Sequence, residues 1–185
     1  SLAPTWAFRR VRGSVEPERL LGMARALGVS DDGRTIVGQD MDDRRTLMWR
    51  DGTLTDLGAG AYTGGAAISG DGRTIAGWNF IWREGLGTID LPGTLGLAAT
   101  PDGSAVFGFL NDNSPVLPSG FFRWTESGGV EDLGRPAWVP PGLFDNSAKR
   151  MFVSDDGGTV LFTGIGPQSL WSRERGFERV STLLE

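Results

Sequence analysis

Asp32, Asp71, Asp102 and Asp156 are each followed by Gly and then, within two residues, by a short apolar run. The stretches read SDDGRTIVG, SGDGRTIAG, TPDGSAVFG and SDDGGTVLF. Carboxylates recurring this way could ligate a cation or donate protons, or they could form hairpin corners that bond their own backbone. The second reading is the simpler one, because Asp-Gly between apolar runs is the strongest short hairpin signal and fits a type I′ turn. We therefore assign Asp32, Gly33, Asp71, Gly72, Asp102, Gly103, Asp156 and Gly157 to structural turns.

Other carboxylates fall outside these turns: Glu16, Glu18, Asp56, Asp90, Glu131, Asp132 and Asp145. A glycosidase needs only two or three such groups, so a carbohydrate-active propeller enzyme is the alternative reading. Asp56, Asp90 and Asp132 are repeat-equivalent, however, which favours structure over a unique catalytic pair. The chain has no His and no Cys, which removes imidazole triads, thiol nucleophiles and the usual structural zinc sites. No catalytic residue is assigned and no enzyme activity is expected. No cofactor is expected either, although Asp40, Asp42, Asp43 and Asp112 sit in oxygen-rich loops of the kind that can bind Ca²⁺.

Composition sets the wider limits. The 185 residues are 39% hydrophobic with a net charge of −5, enough for one domain with a core. Basic residues are scattered, so nucleic acid is not expected as a partner. No apolar run approaches the roughly 20 residues that span a bilayer, and no membrane insertion is expected. The 29 glycines and 10 prolines punctuate short apolar runs, as in an all-β chain with many turns.

The elements that must position these residues repeat. Each unit has a strand ending before the Ser/Thr-x-Asp-Gly turn, a strand after it, a variable loop, a strand ending near Trp49, Trp82, Trp124 or Trp171, and a final strand such as TLTDL. Four antiparallel strands in about 40 residues match a propeller blade. The predicted fold is all-β: a propeller of four or five short four-stranded blades, its ring complete or left incomplete in this chain. A β-solenoid-like stack is the alternative, disfavoured by uneven repeat spacing. Residues 1–185 read as one propeller-like repeat domain, with a half repeat at 4–22 and repeats at 24–58, 65–93, 96–134 and 148–184. The half repeat would supply the two outer strands of a blade, completed by the chain end or by residues beyond this chain. The recurring Trp is expected to anchor neighbouring blades.

These motifs resemble the HAF-repeat family of probable extracellular bacterial proteins, whose repeats share features with WD40-like and TolB-like propellers. The matching residues are Ser30, Asp32, Gly33, Gly38, Trp49 and Asp56–Gly58 in the first copy, Ser69, Asp71, Gly72, Gly77, Trp82 and Asp90-Leu91 in the second, and Asp102, Gly103, Gly108, Trp124 and Asp132–Gly134 in the third. The His-Ala-Phe triplet itself is absent, and the fourth copy has Phe162 in place of the glycine. The resemblance implies a secreted, cell-surface or periplasmic repeat protein and supplies no catalytic residue.

In a four-stranded meander the first and third turns share one face, and the other connections share the opposite face. All length variation falls on that second face, and binding residues favour variable loops on a rigid scaffold. Tyr62, Trp78, Phe109 and Trp138 are the candidate ligand-binding residues there, for a protein or glycan partner. An incomplete ring would leave blade edges open to a homodimer contact.

Overall fold

The computed structural model describes residues 6–40, 45–59, 65–110, 120–138, 150–163 and 168–183. The chain forms an all-β propeller. Two short strands, β1 (Phe8–Arg9) and β2 (Glu18–Arg19), make a two-stranded ribbon. The first blade is β3 (Arg25–Val29), β4 (Thr35–Gln39), β5 (Arg45–Arg50) and β6 (Thr53–Ala59), paired in that order. The second begins with β7 (Ala67–Ile68), β8 (Thr74–Ala76) and β9 (Trp78–Arg83).

The next strand, β10 (Gly87–Ala99), belongs to two blades. Its start pairs with β9, from Gly87↔Arg83 to Asp90↔Phe80. Its end pairs with β11 (Ala105–Leu110), from Thr94↔Leu110 to Ala99↔Val106. Between them it crosses the Gly77–Phe80 turn, where Leu95 faces Trp78 and the Gly96 N–H donates to the Gly77 carbonyl at 3.1 Å. The change of pairing partner between the repeats at 65–93 and 96–134 therefore falls within one continuous strand. Blade 3 ends with β12 (Gly120–Thr125) and β13 (Gly129–Gly134); blade 4 is β14 (Arg150–Val153), β15 (Thr159–Thr163), β16 (Ser169–Ser172) and β17 (Gly176–Arg179). A 3₁₀ turn at Val180–Leu183 follows. Among the described residues the chain end adds no strand to the β1–β2 ribbon.

Four apolar clusters occupy the four boundaries between successive units. Trp49, Ile36 and Leu47 pack on Ala7, Leu20 and Met23 of the leading segment. Val37 and Met48 of blade 1 meet Ile75 and Phe80 of blade 2, with Trp82 against the cluster. Ala76 and Ile81 of blade 2 meet Val106 and Trp124 of blade 3. Phe107, Phe109 and Phe121 of blade 3 meet Val160, Phe162 and Trp171 of blade 4. Each recurring Trp thus faces the preceding unit, and the adjacent row of each blade faces the following one. This alternation is the period-two rule of a strand buried on both faces.

The fourth-copy departure has a backbone cause. A Cβ on Gly38 would collide with the Arg25 carbonyl, and one on Gly108 with the Leu95 carbonyl. Both glycines sit beside a register shift in the inner strand, between Ala26 and Gly28 and between Gly96 and Ala98. Such bulges bring two residues against one. In blade 4 the inner pair runs without a shift from Arg150↔Thr163 to Val153↔Val160, so Phe162 fits where the bulged blades need glycine.

Candidate functional site

The Asp-Gly turns are built alike in all four blades. The Ser30 hydroxyl donates to Asp32 Oδ1 at 2.6 Å and accepts the Thr35 N–H at 3.0 Å, while the Arg34 N–H donates to the same Asp32 oxygen at 2.9 Å. Ser69 with Asp71, Thr100 with Asp102 and Ser154 with Asp156 repeat the arrangement. These bonds hold the carboxylates of Asp32 and Asp156 below the ordinary value, the neighbouring hydroxyl first and the backbone N–H second. For Asp102 the Ser104 N–H comes first and the Thr100 hydroxyl next. A hydrogen-bonded carboxylate favours its charged form.

The turn type differs from the one expected. Only the glycine of each Asp-Gly pair has positive φ, as at Gly33 (69°), and the loop closes from the Ser30 N–H to the Thr35 carbonyl at 2.9 Å. A type I′ turn needs positive φ at both central residues. Asp51-Gly52 meets that requirement, with φ of 47° and 88°, between the paired residues Arg50 and Thr53. The Ser hydroxyl supplies a side-chain link that a two-residue turn has no room for.

The same face is stitched from blade to blade. Arg50 donates to Thr35 Oγ1, to the Gly72 carbonyl and to Glu84 Oε1, the last two at 2.6 Å. Arg83 reaches the Gly103 carbonyl at 3.2 Å and Glu126 Oε2 at 3.2 Å. The Asp31 N–H donates to the Gly70 carbonyl and the Asp71 N–H to the Pro101 carbonyl, each at 2.8 Å. The arginine after the repeat Trp was a sequence signal for this role, present in copies one and two. Copies three and four have Thr125 and Ser172 there, and their boundary relies on rings instead, with Phe121 4.0 Å from Phe162 and 5.2 Å from Phe177.

Three of the ligand-binding candidates lie near one another: Leu95 is the cross-strand partner of both Trp78 and Phe109, and Trp138 packs against the cluster that holds Phe109. Phe109 is buried (4% exposed) with its ring 4.9 Å from Phe121, so it serves the boundary core rather than an open face. Trp138 is half-buried, donates from Nε1 to Ser169 Oγ at 3.2 Å and lies under Arg179; it straps blade 3 to blade 4. Trp78 is half-buried at the tip crossed by β10. Tyr62 lies outside the described residues, as do Asp42, Asp43 and Asp112. The Asp40 carboxylate is 3.8 Å from Arg45 Nε. Among the described residues no three acidic side chains converge as a metal site would require.

Four of the remaining candidate carboxylates are engaged locally, and Asp145 lies outside the described residues. Asp56 Oδ1 accepts the Gly58 N–H at 2.9 Å and Asp132 Oδ1 the Gly134 N–H at 2.7 Å. The Asp-Leu-Gly motif thus forms an Asx turn at a register shift near the end of the strand. Glu18 pairs with Arg9 and Glu131 with Arg123.

The fold also brings together the inner strands. Residues 27–29, 66–68, 97–99 and 151–153, one segment from each blade, line a common central pocket of about 350 Å³. Its described walls are Gly, Ala, Val, Leu, Ile, Met and Phe, with no titratable group. Val29 and Phe152 are more than half exposed there. These segments immediately precede each Ser/Thr-x-Asp-Gly turn, so the repeat itself marks the pocket wall.

No protein-family model matches the chain, and no curated protein matches it. Solved structures do share its fold. TolB from Acinetobacter baumannii superposes with a TM-score of 0.52 at 16% identity, over 90% of this chain and 46% of that one. A nidogen/laminin complex gives 0.53 at 12% identity, over 86% and 66%. The dihydro-heme d1 dehydrogenase NirN in complex with DHE gives 0.57 at 16%, over 89% and 38%. The chain therefore spans about half the length of TolB. These proteins differ in activity, and at such identities the likeness concerns the fold.

Proposed function

We propose that this chain is a non-catalytic binding module of the propeller type, one repeat domain over residues 1–185, that holds an apolar portion of a protein partner at its central pocket. The carrying observation is the wall: four inner strands converge on one cavity whose described side chains are apolar, with no titratable group for proton transfer. The turn face supports the reading, since its polar side chains are already used in turns and stitches. The motif resemblance to HAF repeats supports a secreted, surface or periplasmic setting; no helix among the described residues is long and apolar enough to cross a membrane.

A photo-cross-linking residue at Val29, in the pocket, and another at Arg34, on the turn face, separate the outcomes when exposed to extract of the source cells. The Val29 probe is expected to give one discrete protein adduct that the Arg34 probe does not. Turnover of a chromogenic glycoside panel, dependent on one carboxylate, would replace this reading with the enzymatic one.

A further inference from the structure

Each blade has one row that packs on the next unit, and in blade 4 that row is left partly exposed among the described residues. The row runs Phe152↔Leu161↔Leu170↔Glu178 across β14 to β17. Its counterparts in blades 1 and 3, Val37, Met48, Ala98 and Phe107, are buried. Phe152 is 55% exposed, and Leu161 and Leu170 are only half-buried.

The complementary row is at the other end of the same chain. Arg9 lies over Trp49 at 4.3 Å, as Arg50 lies over Trp82 at 5.6 Å. Phe8 therefore occupies the position of the recurring Trp, which in every blade points to the preceding unit. It is 56% exposed, and its cross-strand neighbour is Arg19. At the blade 3–4 boundary Trp171 meets Phe107, whose counterpart in blade 4 is Leu161. In blade order Phe8 would thus meet Leu161 beside Leu170, and Arg19, which lies over Trp6, would approach Glu178, which also pairs with Arg175.

We propose that the outward face of blade 4 docks the outward face of the β1–β2 ribbon of a second copy of this chain, head to tail. The contact continues the rule obeyed at four internal boundaries. Were the two faces within reach inside one chain, tethering at an effective concentration of order millimolar would favour internal closure; among the described residues Phe8 and Phe152 instead remain exposed. A heterologous contact of this kind builds a ring or a filament. The contact shares only Phe152 with the wall of the central pocket and does not rest on what that pocket binds.

The chain has no cysteine, so Phe8→Cys and Leu170→Cys each introduce a single thiol. Mixed and treated with a short bismaleimide, the two variants should give a covalent heterodimer, and the double variant a ladder of multimers. Adding Leu161→Glu to the Leu170→Cys chain should lower the yield about tenfold, the equivalent of about 1.4 kcal/mol, with unchanged far-UV dichroism. Wild-type mass by sedimentation should rise with concentration. An internally bridged monomer from the double variant would overturn the proposal. So would a yield no higher than that of a Gly52→Cys and Gly85→Cys control pair, or a wild type that stays monomeric at every concentration.

Discussion

The Thr74 hydroxyl donates to the Gly103 carbonyl at 3.1 Å, across the boundary from blade 2 to blade 3. The contact leaves no room for a side chain: a Cβ on Gly103 would be driven into Thr74 Oγ1. Gly33 has similar φ, 69° against 67°, yet no neighbouring atom lies within 4 Å of where its Cβ would stand. Gly33→Ala should therefore cost about 1–2 kcal/mol of left-handed strain alone. Gly103→Ala should cost clearly more. Urea unfolding of both variants checks the order, and equal losses would show that the blades do not touch at this turn.

The buried serine of the turn is a second test. Ser69 is fully buried and accepts the Thr74 N–H at 3.0 Å. Ser69→Ala leaves that N–H without its partner, at an expected cost of about 1–3 kcal/mol. Ser154→Ala, at the half-exposed fourth turn, should cost less because water can replace the hydroxyl. Chemical denaturation of the two variants measures the difference.

Stitching across blades should outweigh ion pairs within them. Arg50→Ala removes three donors at once and should cost about 1–3 kcal/mol, with little relief at high salt. Arg34→Ala breaks a pair with Asp51 in which both side chains are more than half exposed, and should cost clearly less than Arg50→Ala. Melting curves at low and high salt distinguish the two.

Acid should loosen the turns in a defined direction. The carboxylates of Asp32, Asp102 and Asp156 are held below the ordinary value of 3.8. A depressed folded value contributes stability that is complete above the ordinary value and is lost as pH falls through the folded one. Stability should thus hold down to about pH 5 and decline below about pH 4. Replacing the three with Asn, which keeps an acceptor oxygen, should flatten the decline. An equally steep loss in the triple variant would assign acid sensitivity to other groups.

The repeat was legible because Asp-Gly, Trp and Asp-Leu-Gly each mark a backbone event that the structure contains: a turn, a blade boundary and a register shift near a strand end. The turn type was not legible, because the Ser hydroxyl that closes it acts across five residues. Phe109 read as a loop aromatic because alternation in blade 3 gives way to a strand buried on every residue from Ala105 to Leu110. The central pocket was missed for a related reason. Its walls are small aliphatic residues with no chemistry of their own, and convergence of four strands is a property of the ring rather than of any one repeat.

The central claim is that partner binding uses the apolar pocket. Leu27 lines it from β3 and is half-buried, so Leu27→Arg places a charge in the cavity. The decisive measurement is adduct formation by the Val29 photo-probe with and without Leu27→Arg, at matched unfolding midpoints. A loss of about tenfold or more is expected. An undiminished adduct, abolished instead by Arg34→Glu on the turn face, would contradict the account.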